Sequence, residues 1–207
     1  MDEKGLEYQP LFSNMITIIL ATKNLHKATE IRAILGDQNI SLIPYTNFID
    51  ISINESGETL LENSLLKAEF IYRITNSPCL ADDSGLFIEK LNGAPGVISS
   101  RYGVNDEERI SRVLKELANS RNRNAEFRAV FVYYYAPKKY AVFEGIVKGR
   151  ITYSPRGTSG FGYDPIFVPR GYRKTFAELG PEIKNRISHR AKALRKFKNF
   201  LKTKNLI

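Results

Sequence analysis

Residues 16–36 read ITIILATKNLHKATEIRAILG, and this stretch decides the fold class. Its first six residues form a β-branched, apolar run that is typical of a buried strand. A short polar segment follows, and the apolar side chains Ile31, Ile34 and Leu35 then recur at helical spacing up to Gly36. A strand, a polar loop and a helix in this order predict an α/β protein.

The rest of the chain continues this alternation of strands and helices. Hydrophobic periodicity predicts the following further elements: a strand at 40–44, a long helix at 59–76, extended structure at 78–81, a helix at 107–117, and strands at 125–136 and 140–151. The last two strands are separated by a predicted turn at 137–139, which favours an antiparallel pair. We therefore expect a mixed sheet with flanking helices that form two lobes around a central cleft.

Length and composition indicate one soluble, cytoplasmic domain. The chain has 207 residues, of which 43% are hydrophobic and 26% charged, as in globular proteins. No apolar run approaches the roughly 20 residues that cross a bilayer, so we expect no membrane contact. We expect residues 15–207 to form a single two-lobed domain and residues 1–14 to be an N-terminal extension without the features of a secretory signal. Cys79 is the only cysteine, which excludes an intrachain disulfide.

The formal net charge of +9 raises the possibility of a nucleic-acid-binding module. Much of the excess lies in residues 186–204, where basic side chains alternate with apolar ones at helical spacing. A solvated helix face explains such a pattern, and a basic field that attracts a small polyanionic substrate is the better functional interpretation. We expect no stable nucleic-acid complex.

The polar segment after the first strand is a candidate phosphate site. Thr22, Lys23 and Asn24 bring hydroxyl, ammonium and amide groups to the place where a helix begins and its backbone N–H groups are free. The glycines of a Walker loop are absent, and a simple N-cap by Thr or Asn is the alternative.

Two adjacent carboxylates, Asp82 and Asp83, follow the predicted strand at 78–81. Magnesium prefers a few carboxylates together with water and substrate phosphate oxygens, so the pair is a candidate metal corner. The alternative is a turn made with Ser84 and Gly85. A further carboxylate is available in Glu55, with Glu58 and Glu62 as competitors that also suit the first turn of the long helix.

Residues 157–165 (GTSGFGYDP) are a candidate slot for a planar ring. The glycines permit a tight turn, the aromatic pair offers a flat face, and the carboxylate of Asp164 can accept hydrogen bonds from a purine edge. A glycine turn with core aromatics is the alternative. Further on, Lys184, His189 and Arg190 are expected to open the last helix, where they are either surface residues or donors to carbonyl oxygens of a base.

Five motifs occur together in the order and spacing of one enzyme family. They are Thr22-x-Asn24-x-x-Lys27, ADDSGL at 81–86, GAPG at 93–96, GFGYDP at 160–165 and SHR at 188–190. Over about residues 16–200 the chain resembles the inosine triphosphate pyrophosphatase family, the non-canonical purine nucleoside triphosphate pyrophosphatases. The resemblance implies a two-lobed α/β fold, a homodimer, and magnesium-dependent hydrolysis of ITP, dITP or XTP to the monophosphate and pyrophosphate, with at least one Mg²⁺ per subunit.

The resemblance also implies roles for single residues. Asp83 is implied as the proton acceptor, and Glu55 with Asp83 as the metal ligands. The implied substrate-binding residues are Thr22, Lys23, Asn24, Leu25, His26, Lys27, Ser84, Phe161, Gly162, Tyr163, Asp164, Lys184, His189 and Arg190. Hydrogen-bond chemistry supports the specificity, because donors on His189 and Arg190 match a 6-oxo group and would be left unpaired by the 6-amino group of adenine.

Two other functions stay open at this point. A Maf-like pyrophosphatase that acts on other modified nucleotides has a related architecture, although the GFGYDP loop and the pair His189 and Arg190 argue against it. A non-enzymatic nucleic-acid-binding module is suggested only by the charge. It predicts salt-sensitive binding and no metal-dependent release of pyrophosphate.

Overall fold

The fold is built on one mixed sheet of six strands in the order β2-β1-β3-β4-β5-β6. The computed structural model describes residues 15–36 and 39–207, so the predicted extension at 1–14 lies outside the described residues. The strands are β1 (Ile16–Ala21), β2 (Ile40–Pro44), β3 (Cys79–Ile88), β4 (Asn124–Ala136), β5 (Lys139–Ile151) and β6 (Phe167–Pro169). β1 pairs in parallel with β2 and β3, and the pairs from β3 to β6 are antiparallel.

Helices flank the sheet, and the first three lie where the sequence pattern predicts them. They are α1 (Leu25–Leu35), α2 (Leu60–Thr75), α3 (Asp106–Leu117), α4 (Phe176–Ile187) and α5 (His189–Thr203). α2 begins with a capping box, in which the Thr59 side chain accepts from the Glu62 N–H and the Glu62 side chain accepts from Thr59. It ends at Asn76, whose left-handed conformation closes the helix. The α/β prediction is confirmed.

Three groups of buried apolar side chains hold these elements together. On one face of the sheet, α1 and α5 pack against Ile18, Leu20 and Phe131. On the other face, α2 packs against a cluster that includes Cys79 and Val132. A third cluster joins α3 and α4 to the second halves of β3 and β5 and to the first half of β4. No helix within residues 15–36 and 39–207 is long and apolar enough to cross a membrane.

Two sequence expectations need correction. β3 does not end before the acidic pair but continues through Asp82 and Asp83 to Ile88, so the turn at Ser84 and Gly85 is wrong. Gly85 instead permits a close approach, since a Cβ there would lie 2.1 Å from the Gly96 carbonyl oxygen. The segment 184–190 does not open one helix, because α4 ends at Ile187 and Ser188 caps the separate helix α5.

Candidate active site

The adjacent carboxylates Asp82 and Asp83 point to opposite faces of the sheet, because successive side chains alternate along a strand. Asp82 Oδ2 lies 3.0 Å from the Lys27 Nζ and 3.8 Å from the Arg190 Nε, on the side of α1 and α5. Asp83 Oδ2 accepts a hydrogen bond from the Asn63 side chain of α2 at 3.2 Å. The two carboxylates therefore do not share one metal corner.

Asp82 is a buried carboxylate whose surroundings favour the charged form. Its side chain is 1% exposed, and burial by itself would raise its pKa. The nearby cations Lys27, Arg190 and Lys67 outweigh that effect and lower the pKa below the ordinary value. Asp82 thus fixes the position of two of the basic side chains that the sequence predicts as ligands for the substrate.

Asp83 is in the opposite situation. Burial raises the pKa of Asp83, and the negative charges of Glu55 and Asp82 raise it further. The positive charges of Lys67 and Lys27 lower it, but not enough to cancel these effects. A carboxylate with a raised pKa binds a proton more readily than an ordinary one. This environment suits a group that takes a proton from water.

Glu55 reaches the same region from the loop before α2. Its carboxylate lies 2.5 Å from the Lys67 Nζ, and Lys67 also donates to the Asp82 carbonyl oxygen at 2.6 Å. Of the two competitors, Glu62 is used up in the capping box, with its Oε2 accepting from the Glu58 and Thr59 N–H groups. Burial disfavours the charged form of Lys67, but the surrounding carboxylates prevail and raise its pKa. We call Glu55, Asn63, Lys67 and Asp83 the acidic cluster.

Asn63 and Lys67 were missed at the level of sequence. Both side chains are buried, and they stand four residues apart on the face of α2 that also carries Leu60 and Ile71. Polar residues in an apolar helical stripe are the signal that points to them, because a buried polar group needs a partner. Both polar atoms of the Asn63 amide have a partner: the Nδ2 donates to Asp83, and the Oδ1 accepts from the Gly57 N–H at 2.8 Å.

The predicted phosphate loop forms the start of α1. Asn24 is the N-cap and its Oδ1 accepts from the Lys27 N–H at 3.0 Å, while the Thr22 Oγ1 accepts from the Asn24 N–H at 3.2 Å. The capping alternative is therefore real for Asn24. Lys23 lies at the surface and pairs with Asp50 at 2.8 Å, and Leu25 is 80% exposed.

The loop at 160–165 presents one ring and anchors the other. The Tyr163 side chain is buried in the third cluster and its hydroxyl donates to the Ser99 carbonyl oxygen at 2.9 Å. The Gly162 N–H donates to Asp106 at 2.6 Å, and the Phe161 N–H donates to Asp164 Oδ2 at 2.9 Å. These contacts leave Phe161 as the ring that faces the other predicted ligands, with the imidazole of His26 stacked on it at 5.1 Å.

Lys184 and Arg190 lie against Phe161 and are held by a residue that the sequence did not reveal. The Lys184 Nζ is 4.4 Å and the Arg190 guanidinium carbon 5.3 Å from the ring centroid. Glu30 of α1 joins both, at 2.6 Å from Lys184 and 2.8 Å from Arg190. Lys184 also pairs with Asp164. We call Glu30, Asp164, Lys184 and Arg190 the cation cluster.

The two carboxyl groups of the cation cluster differ in how far nearby cations offset the effect of burial on their pKa values. Burial opposes ionisation of Glu30, but Arg190 and Lys184 overcome it and lower its pKa. Burial is stronger at Asp164 and raises its pKa despite Lys184. The only sequence signal for Glu30 is its position three residues after Lys27, on the same side of α1.

His189 and Ser84 complete the set of predicted ligands. The His189 ring is 2% exposed and stacks on Phe127 at 4.8 Å. Burial, followed by the charges of Arg190 and Lys184, lowers its pKa well below the ordinary value, so the imidazole is neutral at pH 7. Among the residues that the structure describes, its Nδ1 is buried without a hydrogen-bond partner. The Ser84 Oγ accepts from Arg190 at 2.9 Å.

Contacts thus connect the predicted residues from both ends of the chain. Lys27, Asp82 and Arg190 form one chain of charges, which Lys67 and the backbone of Asp82 join to the acidic cluster. A cavity of about 790 Å³ lies elsewhere, over β4, β5 and β6, and contains none of the predicted site residues. Size alone therefore does not locate the chemistry.

The donor set of the acidic cluster fits magnesium. Among the described residues no group of three or more His, Cys, Asp or Glu side chains is arranged for a metal. Magnesium commonly takes one or two protein carboxylates and fills its other positions with water and substrate phosphates, so Asp83 and Glu55 suffice. The ammonium of Lys67 already lies against Glu55, which shows that this position attracts a cation.

Known proteins are similar to this chain over most of its length. The profile of the Ham1 family matches residues 18–200. A protein named dITP/XTP pyrophosphatase from Aquifex aeolicus is 44% identical over 198 residues, which cover 89% of this chain and 96% of that one. A protein of the same name from Coxiella burnetii is 43% identical over 194 residues, covering 90% and 97% of the two chains.

Solved structures show the same architecture. The structure of a HAM1 protein from Coxiella burnetii has a TM-score of 0.84 at 42% identity and covers 91% of this chain and 100% of its own. The Staphylococcus aureus Ham1 protein has a TM-score of 0.83 at 36% identity, with 91% and 99% covered. The six-stranded mixed sheet with flanking helices is thus an arrangement that these proteins share.

Proposed function

The chain belongs to the Ham1 family, and on this basis we propose that it hydrolyses dITP, XTP and ITP to the nucleoside monophosphate and pyrophosphate. Its relatives from Aquifex aeolicus and Coxiella burnetii carry the name dITP/XTP pyrophosphatase. One observation carries the proposal: a buried carboxylate of raised pKa, Asp83, lies beside a second carboxylate and within one network of contacts that ends at the Phe161 ring. Removing non-canonical purines from the nucleotide pool is the role that follows.

Asp83 and Glu55 would hold Mg²⁺, with Asp83 also as the proton acceptor. When bound, Mg²⁺ supplies positive charge against the phosphate oxygens and orients the reacting groups. Asp83 takes the proton of the attacking water, for which its buried position beside Glu55 is suited. The hydrogen bond from Asn63 fixes the direction of that carboxylate.

Lys27, Lys67 and the first turn of α1 would bind the triphosphate. Lys27 is held by Asp82 at 3.0 Å, and Lys67 by Glu55 at 2.5 Å, so both ammonium groups are in place before a substrate arrives. The unpaired N–H groups at a helix N-terminus add favourable partial charge for phosphate. Fixed positive groups of this kind stabilise the charge that develops on the phosphate oxygens in the transition state.

Phe161 would stack on the purine while the cation cluster and His189 read its edge. Lys184 and Arg190 present donors, and a 6-oxo group accepts from them whereas the 6-amino group of adenine does not. Buried donors left without an acceptor are costly, so adenine nucleotides are expected to be poor substrates. Tyr163 and Asp164 would hold the loop that carries Phe161, because Tyr163 donates to the Ser99 carbonyl oxygen and Asp164 accepts from the Phe161 N–H.

Pyrophosphate release from a panel of nucleotides tests this function. We expect Mg²⁺-dependent hydrolysis of ITP, dITP and XTP at rates well above those for ATP, GTP and a methylated pyrimidine triphosphate. Equal rates on all purines would contradict the proposed specificity, and preference for the pyrimidine would favour the Maf-like alternative. Omission of Mg²⁺ is the control for the metal.

We also propose that residues 15–207 work as one two-lobed unit and that two copies form a homodimer. Exposed apolar side chains support a partner surface on α2 and β5: Leu61, Leu66, Phe70, Ile74, Tyr140, Val142 and Ile146. The two elements share a side of the sheet, since the Tyr134 ring contacts both Tyr72 of α2 and Tyr140 of β5. Light scattering should give twice the chain mass, and Phe70→Asp should give a monomer.

A further inference from the structure

The ring of Phe161 has more neighbours than a free stacking platform would have. Three groups lie against it: the Lys184 ammonium at 4.4 Å, the Arg190 guanidinium at 5.3 Å and the His26 imidazole at 5.1 Å. The planes of the two rings differ by 18°, so His26 and Phe161 are stacked. An aromatic ring has two faces, and a purine that stacks on Phe161 must take one of them.

The cations cannot give up their place easily. Lys184 is held by Glu30 at 2.6 Å and by Asp164, and its side chain is 4% exposed. Arg190 is held by Glu30 at 2.8 Å and by Ser84 at 2.9 Å. Moving either one would leave buried carboxylates without their counter-charge, which is strongly unfavourable.

His26 is free to move by comparison. It is exposed in the first turn of α1, and within residues 15–36 and 39–207 its imidazole makes no hydrogen bond or ion pair. Exposed side chains change rotamer on the picosecond to nanosecond timescale. His26 covers the Phe161 ring with a side chain that can move away, so a purine can reach the ring where His26 now lies.

We propose that His26 is the second wall of the base slot: it covers Phe161 in the free protein, swings outward to admit the purine and then stacks on the purine's far face. The inference rests on the proposed function, because it assumes that Phe161 receives a purine. Two stacked pairs in a row need about 9 Å between the outer ring centroids, so the imidazole has to withdraw by roughly 4 Å. His26 then contacts the base, whereas its neighbours in the loop at 22–27 serve the phosphates.

Titration with the two halves of the substrate as separate ligands distinguishes base stacking by His26 from phosphate binding. Inosine monophosphate carries the base, and inorganic tripolyphosphate carries the phosphate chain without a base. For His26→Ala we expect calorimetric titration to show affinity for inosine monophosphate reduced about three- to tenfold, the size of one aromatic pair. Affinity for tripolyphosphate should stay unchanged, and His26→Phe should restore binding of the monophosphate.

Thr29→Ala is the matched control, since it removes an exposed side chain one turn further along α1 and should alter neither titration. Equal weakening of both ligands by His26→Ala would assign His26 to the phosphates and overturn the inference. Unchanged or tighter binding of inosine monophosphate would show that the ring is only a cover, which also overturns it. In either case the wild-type release of pyrophosphate from ITP is unaffected, so the proposed function is judged separately.

Discussion

The acidic cluster and the cation cluster differ in how completely the protein neutralises their charges. The cation cluster sets two carboxylates, Glu30 and Asp164, against two cations, Lys184 and Arg190, and each cation pairs with Glu30. The acidic cluster sets the buried Lys67 against the carboxylates of Glu55 and Asp83, and the half-exposed Arg101 lies 3.9 Å from Glu55 outside the cluster. The first group is neutralised by buried cations, whereas the second has a single buried cation among its members for two carboxylates.

This difference matches the proposed division of the site into one part for recognition and one part for reaction. A network of buried charges that compensates itself is rigid and holds a fixed arrangement of donors. Burial raises the pKa of Asp83 as it does that of Asp164, but Asp164 is paired with Lys184, whereas Asp83 has no ion pair among the described residues and can attract protons and metal cations. Under the proposed function, the cation cluster would read the base, and the acidic cluster would gain further counter-charge from its ligands.

The largest expected effect comes from removing the charge of Asp83. Asp83→Asn should lower pyrophosphate release from ITP by about a thousandfold, within the range that general acid-base catalysis contributes. Thermal stability should not fall, because the amide replaces a carboxylate whose ionised form is disfavoured by burial. The exposed Glu69→Gln is the matched control and should match the wild type in both assays. Near-normal activity of Asp83→Asn would break the assignment of reaction to the acidic cluster.

Lys67→Met is expected to have the next largest effect. Methionine fills a similar volume without the charge, so Glu55 and the Asp82 carbonyl lose a partner and the triphosphate loses a fixed cation. We expect kcat to fall by about a hundredfold, comparable to the loss of one group that stabilises transition-state charge. If steady-state kinetics showed only a raised KM with kcat unchanged, Lys67 would belong to substrate binding alone.

Glu30→Gln tests whether the cation cluster is held together by its own charges. Losing the carboxylate between two buried cations should destabilise the fold by about 3 kcal/mol at pH 7 and raise KM for ITP. The pKa of Glu30 is lowered in the fold, so its contribution is complete above its ordinary value of 4.5 and is lost as the pH falls through the lower folded value.

Urea denaturation of both proteins over a range of pH checks this sign. The difference in unfolding free energy between wild type and Glu30→Gln should be constant near neutrality and shrink below pH 4.5. A difference that grew on acidification would contradict the geometry of the cluster.

Arg190→Ala should likewise lower stability as well as activity, since Arg190 is 4% exposed and pairs with Glu30.

The smallest effect is expected at the surface. Asp50→Asn breaks the ion pair with Lys23, but both groups are open to solvent, where such pairs contribute little. Melting temperature and kcat should be indistinguishable from those of the wild type. A clear rise in KM for nucleoside triphosphate substrates would instead show that Asp50 positions Lys23 for the phosphates.

Much of the fold was accessible from the sequence because its signals are local. The capping box at Thr59, the apolar spacing in α1 and the β-rich stretches around the turn at 137–139 each depend on neighbouring residues. The length of β3 was not accessible. Asp82 and Asp83 read as polar residues at a strand end, and only pairing with Phe131 and Val130 of β4 extends the strand through them.

The sequence by itself determined the alternation of strands and helices and the order of five motifs, and it predicted Asp83 as the central carboxylate. Only the tertiary structure decided which groups surround it. Glu30 and Arg190 are 160 residues apart, and Asn63 lies 20 residues from Asp83. Partners at such separations leave no periodic trace in the chain, because buried charges and amides are selected by the groups they meet in space.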